Sequence, residues 1–131
     1  MARQMAVWTE AASSEEGRKA SSRPVDLVHL SRYTLGAREL EAEVLELFCT
    51  QATIYLERLR QARSDKDWKD AAHSLKGSAS AIGAWRAAEA AERAEALSGE
   101  ALAQGWDLRL REIESAVREA EAYIGTLLED R

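Results

Sequence analysis

Proline occurs once in these 131 residues and cysteine once. With so little proline, and no run of strand-forming residues, long helices meet few obstacles. The lone Cys49 cannot form an intramolecular disulfide. Its helical surroundings mark it as a small buried apolar residue rather than a reactive thiol, which suits a reducing cytoplasm. No apolar run approaches the ~20 residues needed to cross a bilayer, and the N-terminus has no apolar core of a secretory signal. No basic excess is present either: the formal net charge is −5, which argues against a nucleic-acid binder. Neither a Gly-rich phosphate loop nor a carboxylate set suited to magnesium is found, so no ATP site is expected. The two histidines, His29 and His73, lack partner cysteines or metal-ligand spacing, and no serine sits in a glycine elbow. No metal site, no cofactor and no contact with nucleic acid or membrane are expected.

What is there points to helices. Apolar residues make up 46% of the chain, enough for a globular core, and 131 residues fit one small domain. Residues 1–23 lack periodicity and read as a flexible tail, leaving residues 24–131 as the domain. Within it a short helix is expected at Val25–Tyr33, broken by Gly36. A long helix over Ala37–Ala62 has Leu40, Val44, Leu47, Gln51, Ile54 and Tyr55 as its core stripe, continuing at Leu59. Leu45, Phe48, Ala52 and Leu56 widen its apolar surface beyond that stripe. Ser64-Asp65 caps a third helix, Gly83 ends it, and an alanine-rich helix covers Trp85–Leu97. Ser98-Gly99 stops that one. Gly105 precedes a last helix striped by Trp106, Leu110, Ile113, Val117, Ala120, Ile124 and Leu127. The fold class is all-α: an antiparallel up-down four-helix bundle with a short additional N-terminal helix.

Residues 70–84 are the most informative segment. Trp68, Ala71, Ala72, Leu75, Ala79 and Ile82 form one apolar stripe at helical spacing. His73 lies roughly 160° around the helix from Leu75 and so points to solvent. Its face-mates are Lys69, Asp70, Lys76, Gly77 and Ser80. A glycine inside a helix costs about 1 kcal/mol relative to alanine, so Gly77 beside His73 needs a reason. Access supplies one: without a side chain a turn away, something large can approach the imidazole ring. The alternative is an ordinary histidine on a solvated helix face.

His73-Ser74-Leu75-Lys76-Gly77-Ser78-Ala79, with Gly83 ten residues after the histidine, resembles the phosphorylation-site signature of histidine-containing phosphotransfer (HPt) domains. Val25–Leu30, Val44–Phe48 and Asp67-Trp68 are similar to the family as well, and the likeness covers roughly residues 25 to 125. The resemblance implies a phosphocarrier without its own ATP site. His73 would accept a phosphoryl group from a receiver-domain aspartate and pass it to another receiver domain. A neutral imidazole is a competent nucleophile for this step, and its ordinary pKa leaves it mostly neutral at cytoplasmic pH. The resemblance also assigns Glu95 the ring nitrogen that does not react: Nδ1–H would bond Glu95 and Nε2 would carry the phosphoryl group. Otherwise Glu95 is a solvated glutamate. Lys76 either balances phosphate charge or merely tunes the local field. Magnesium would belong to the partner receiver.

Two partners follow from the resemblance: the receiver domain of a hybrid histidine kinase and the receiver domain of a response regulator, each meeting a monomer of this chain. Gly77, Ser80, Ala81 and Ala84 would leave a shallow surface for docking, with Lys69 and Lys76 on its rim. Leu45 and Phe48 would supply its apolar part, unless the short N-terminal helix covers them. A helical adaptor that binds receivers without carrying phosphate is the alternative function. A third reading, the phosphorylatable bundle of a chemotaxis-type kinase, would require a linked ATP-binding domain.

Overall fold

Asp26 starts the first helix, its carboxylate accepting the backbone N–H of His29 at 3.1 Å. In the computed structural model, which describes residues 23–129, that helix is α1, Leu27–Thr34. The expected tail, residues 1–23, lies outside the described residues except for its last residue. Leu35 and Gly36 turn the chain with positive φ angles of 54° and 79°, and α2 follows over Arg38–Arg60. The Ser64 hydroxyl accepts the N–H of Asp67 at 3.0 Å and so caps α3, Asp65–Ala81. Acidic Asp65 and Asp67 in its first turn suit the positive end of the helix dipole. α4 covers Trp85–Glu95 and α5 Gly99–Glu129. Helices α2 to α5 pack in sequence, and α5 closes back on α2. With connections of only three to four residues between neighbours, this is an antiparallel up-down four-helix bundle, and α1 is the short additional helix.

Gly83 holds α1 onto the bundle. Its φ is 74°, and its carbonyl accepts the N–H of Asp26 at 3.0 Å. A Cβ at this position would stand 2.6 Å from the Cβ of Asp26. The Asp26 carboxylate also accepts the indole N–H of Trp85 at 3.0 Å, which ties α1 to the start of α4. His29 lies edge-on to Tyr33 and Trp85, at 5.2 and 4.9 Å between ring centroids.

Two expectations need correction. The core face of α2 is not the stripe Leu40, Leu47 and Ile54: these are 42%, 53% and 44% exposed. Leu45, Phe48, Ala52, Leu56 and Leu59 are the buried ones, with Val44 and Tyr55 half-buried between the faces. Both sets of residues repeat every three to four positions, so periodicity could not choose between them, and the bundle buries the face carrying the bulky Phe48. The last helix starts at Gly99, not after Gly105. Leu102 packs into the core one turn in, and good helix formers at 100–104 carry α5 straight through the glycine. Trp106 is then 46% exposed rather than core, while Leu110, Ile113, Val117, Ala120 and Ile124 keep the expected stripe. Cys49 is half-buried, and burial, followed by the nearby Glu121 and Glu46 carboxylates, pushes its thiol up, away from reactivity.

Candidate functional site

His73 sits in the middle of α3 on the face opposite Leu75, and its side chain is 67% exposed. Helix α4 runs alongside and ends at Glu95, 22 residues further along the chain. There the carboxylate meets two partners. Its Oε2 lies 2.8 Å from His73 Nδ1, and its Oε1 lies 3.1 Å from Lys76 Nζ. In a neutral ring facing a carboxylate, Nδ1 is the protonated nitrogen and donates. Nε2 then keeps its lone pair, and no described residue bonds it.

The Glu95 side chain is only 20% exposed. Partial burial pushes its carboxyl up, but the hydrogen bonds from Lys76 and His73 outweigh this and hold it below the ordinary glutamate range. An ionised Glu95 is therefore the resting state, which favours a protonated Nδ1 in turn. A Cβ added at Gly77 would meet nothing within 4 Å, so the position beside His73 is open space. Lys69, one turn before His73, is exposed and has no ion-pair partner among the described residues.

Of the residues expected to form a docking surface, Ala81 is exposed and Ser80 half-buried. Leu45, Phe48 and Ala84 have to be withdrawn: their exposures are 3%, 2% and 0%. They fill the bundle core, so no partner can reach them. The apolar residues that do face solvent beside α3 are Leu47 and Ile54, four residues before and three after Gln51. The Gln51 side-chain oxygen accepts the Ser78 hydroxyl at 2.9 Å, which zips that edge of α2 to the site-bearing helix next to Gly77. Sequence reasoning missed this surface because it assigned the same residues to the core. It also missed the contact between Trp68 and Ala94, whose indole N–H and carbonyl oxygen are 2.7 Å apart.

His29 offers a contrast. Its Nε2 is buried with no hydrogen-bond partner, beneath two aromatic neighbours. Among the described residues, no group of three or more His, Cys, Asp or Glu is placed to hold a metal ion. No described helix is long and apolar enough to cross a membrane.

The Hpt domain family model matches residues 43–128 of this chain. Among solved structures, the histidine phosphotransferase ShpA from Caulobacter crescentus is similar, with a TM-score of 0.64 and 29% sequence identity. The match covers 82% of this chain and 92% of that one. No curated protein matches.

Proposed function

The chain belongs to the Hpt domain family, and from that premise we propose that His73 accepts a phosphoryl group from a receiver-domain aspartate and passes it to a second receiver. Hpt domains are phosphocarriers of two-component signalling and interact with receiver domains. The observation that carries the proposal is the bond between His73 Nδ1 and Glu95, which leaves the opposite ring nitrogen bare and outward-facing.

In the forward step the Nε2 lone pair attacks phosphorus and the bond from phosphorus to the aspartyl oxygen breaks. The aspartate leaves as a carboxylate. The ring, protonated on Nδ1 and phosphorylated on Nε2, becomes cationic as the new bond forms. Glu95 is already ionised and already in contact with that proton, so the charge develops against a fixed anion. Lys76 can turn its ammonium toward the phosphoryl oxygens on its flexible stem. The reverse step, with a second aspartate attacking phosphorus, returns the neutral ring. The chain supplies the nucleophile and its orienting carboxylate, and the receiver supplies magnesium.

The same reading places the receiver over the outer face of α3 and the adjoining edge of α2. Leu47 and Ile54 form an exposed apolar strip there, and Gly77 leaves room for a close approach to the ring. Lys69 stands on the rim. Incubation with a phosphorylated receiver tests the proposal. The wild-type protein is expected to take up label and the His73→Gln variant none. Full labelling of His73→Gln would overturn it and leave the adaptor reading or another acceptor.

A further inference from the structure

Trp68 is buried, 3% exposed, and its indole N–H donates to the main-chain carbonyl of Ala94 at 2.7 Å. Ala94 immediately precedes Glu95, the residue that holds His73. The bond falls where α4 ends. In a continuing helix the Ala94 carbonyl would accept the N–H of Ser98. Here the chain tightens, Leu97 N–H reaches that carbonyl at 3.1 Å, and the indole takes the remaining lone pair.

Apart from the Glu95 contacts themselves, the Asp65 carboxylate of α3 accepts the Gly99 N–H at 2.8 Å just beyond α4, and few side chains interlock at this end of the two helices. The buried residues of α4 are all alanines, Ala87, Ala88, Ala90, Ala91 and Ala94. Such a smooth face resists sliding and rotation poorly compared with interlocking larger side chains. The ion pairs of α4 with α5, Arg86–Glu119 and Arg93–Glu112, are largely exposed and contribute little. Trp85 anchors the opposite end of α4, through Asp26. Trp68 and His73 share one helix, five residues apart, so their separation is rigid. A peg on α3 thus sets the height at which α4 presents its carboxylate to a ring on the same α3.

We infer that Trp68 is a positioning residue: through the Ala94 carbonyl it holds Glu95 within hydrogen-bond distance of His73 Nδ1 and so fixes the tautomer of the phosphoacceptor ring. The inference rests on the proposed role of His73, but its first readout does not. Trp68→Phe removes the donor and keeps an aromatic ring in the core. The ring 15N shifts of His73 in the folded variant are expected to move from the Nδ1–H form toward a mixture of tautomers. Transfer from a phosphorylated receiver is expected to slow by up to about tenfold, the worth of one net hydrogen bond. In a Glu95→Ala background the same replacement should slow transfer no further, since the residue it acts through is gone. An unchanged tautomer in Trp68→Phe overturns the inference, and so does equal slowing in both backgrounds, which would mark a packing effect. If Trp68→Phe does not fold, benzothienylalanine at position 68 keeps the bicyclic ring and replaces the N–H by sulfur, with the same readouts. A wild-type protein that takes up no label on His73 would count against the phosphocarrier reading, while the tautomer comparison would still decide the role of Trp68.

Discussion

Glu95 serves two donors with one carboxylate, and its titration reports whether that arrangement exists in solution. The hydrogen bonds from Lys76 and His73 favour the ionised form and outweigh the burial that opposes it. Its folded pKa therefore lies below its unfolded one, and the stability it contributes is present above the unfolded value of about 4.3. That contribution disappears as the pH falls through the folded value. A carboxyl-carbon NMR titration should place the Glu95 midpoint below that of an ordinary solvent-exposed glutamate, and a midpoint at or above that reference would mean that the two donors are not in place. Two glycines give opposite responses to one substitution. At Gly77 a methyl group meets open space inside a helix, so Gly77→Ala should stabilise by about 1 kcal/mol. At Gly83 the positive φ and the 2.6 Å approach to Asp26 make Gly83→Ala destabilising, by about 1–3 kcal/mol. Denaturant titrations of both variants check this, and shifts of the same sign would contradict it. The sequence already gave reasons to notice Gly77, because it interrupts a helix beside an exposed histidine. The strain at Gly83 depends on Asp26, which is distant in the chain, and no local pattern encodes it.

At the scale of elements, α2 carries the clearest lesson. Polar residues define the outer face of α3, with Lys69, Asp70 and Lys76 on the side of His73, so its apolar stripe was unambiguous. In α2, residues such as Leu40, Leu47 and Ile54 compete with Leu45, Phe48 and Leu56 at the same period, and only packing selects between them. The selection has consequences for mutation. Phe48→Ala removes a buried ring and should cost ~3–5 kcal/mol. Leu47→Ala and Ile54→Ala change half-exposed residues and should cost less than ~1 kcal/mol, yet slow transfer from a receiver. Thermal denaturation beside transfer rates separates the two classes. Loss of stability without loss of transfer in the Leu47 and Ile54 variants would remove them from the docking surface. The start of α5 was legible only in part. A glycine preceded by helix formers looks like a boundary, but Leu102 gains burial only if the helix begins before it.

Among the described residues, the four long helices gather one apolar core, with α1 packed onto it, and leave the His73 imidazole exposed on the flank. That much was readable from composition, helical spacing and the short segment around His73. The handling of the second histidine was not, because it depends on α1 folding down against Trp85. His29 ends with its Nε2 buried, whereas His73 ends with its Nε2 in solvent and its Nδ1 committed to Glu95. The central claim is that this one atom, Nε2 of His73, carries the phosphoryl group. The most direct measurement is 15N–31P NMR of the histidine-labelled protein after phosphorylation by a receiver. One phosphorylated ring is expected, that of His73, with phosphorus coupled to Nε2 and Nδ1 still protonated. Coupling of phosphorus to Nδ1, or to either nitrogen of His29, would contradict it.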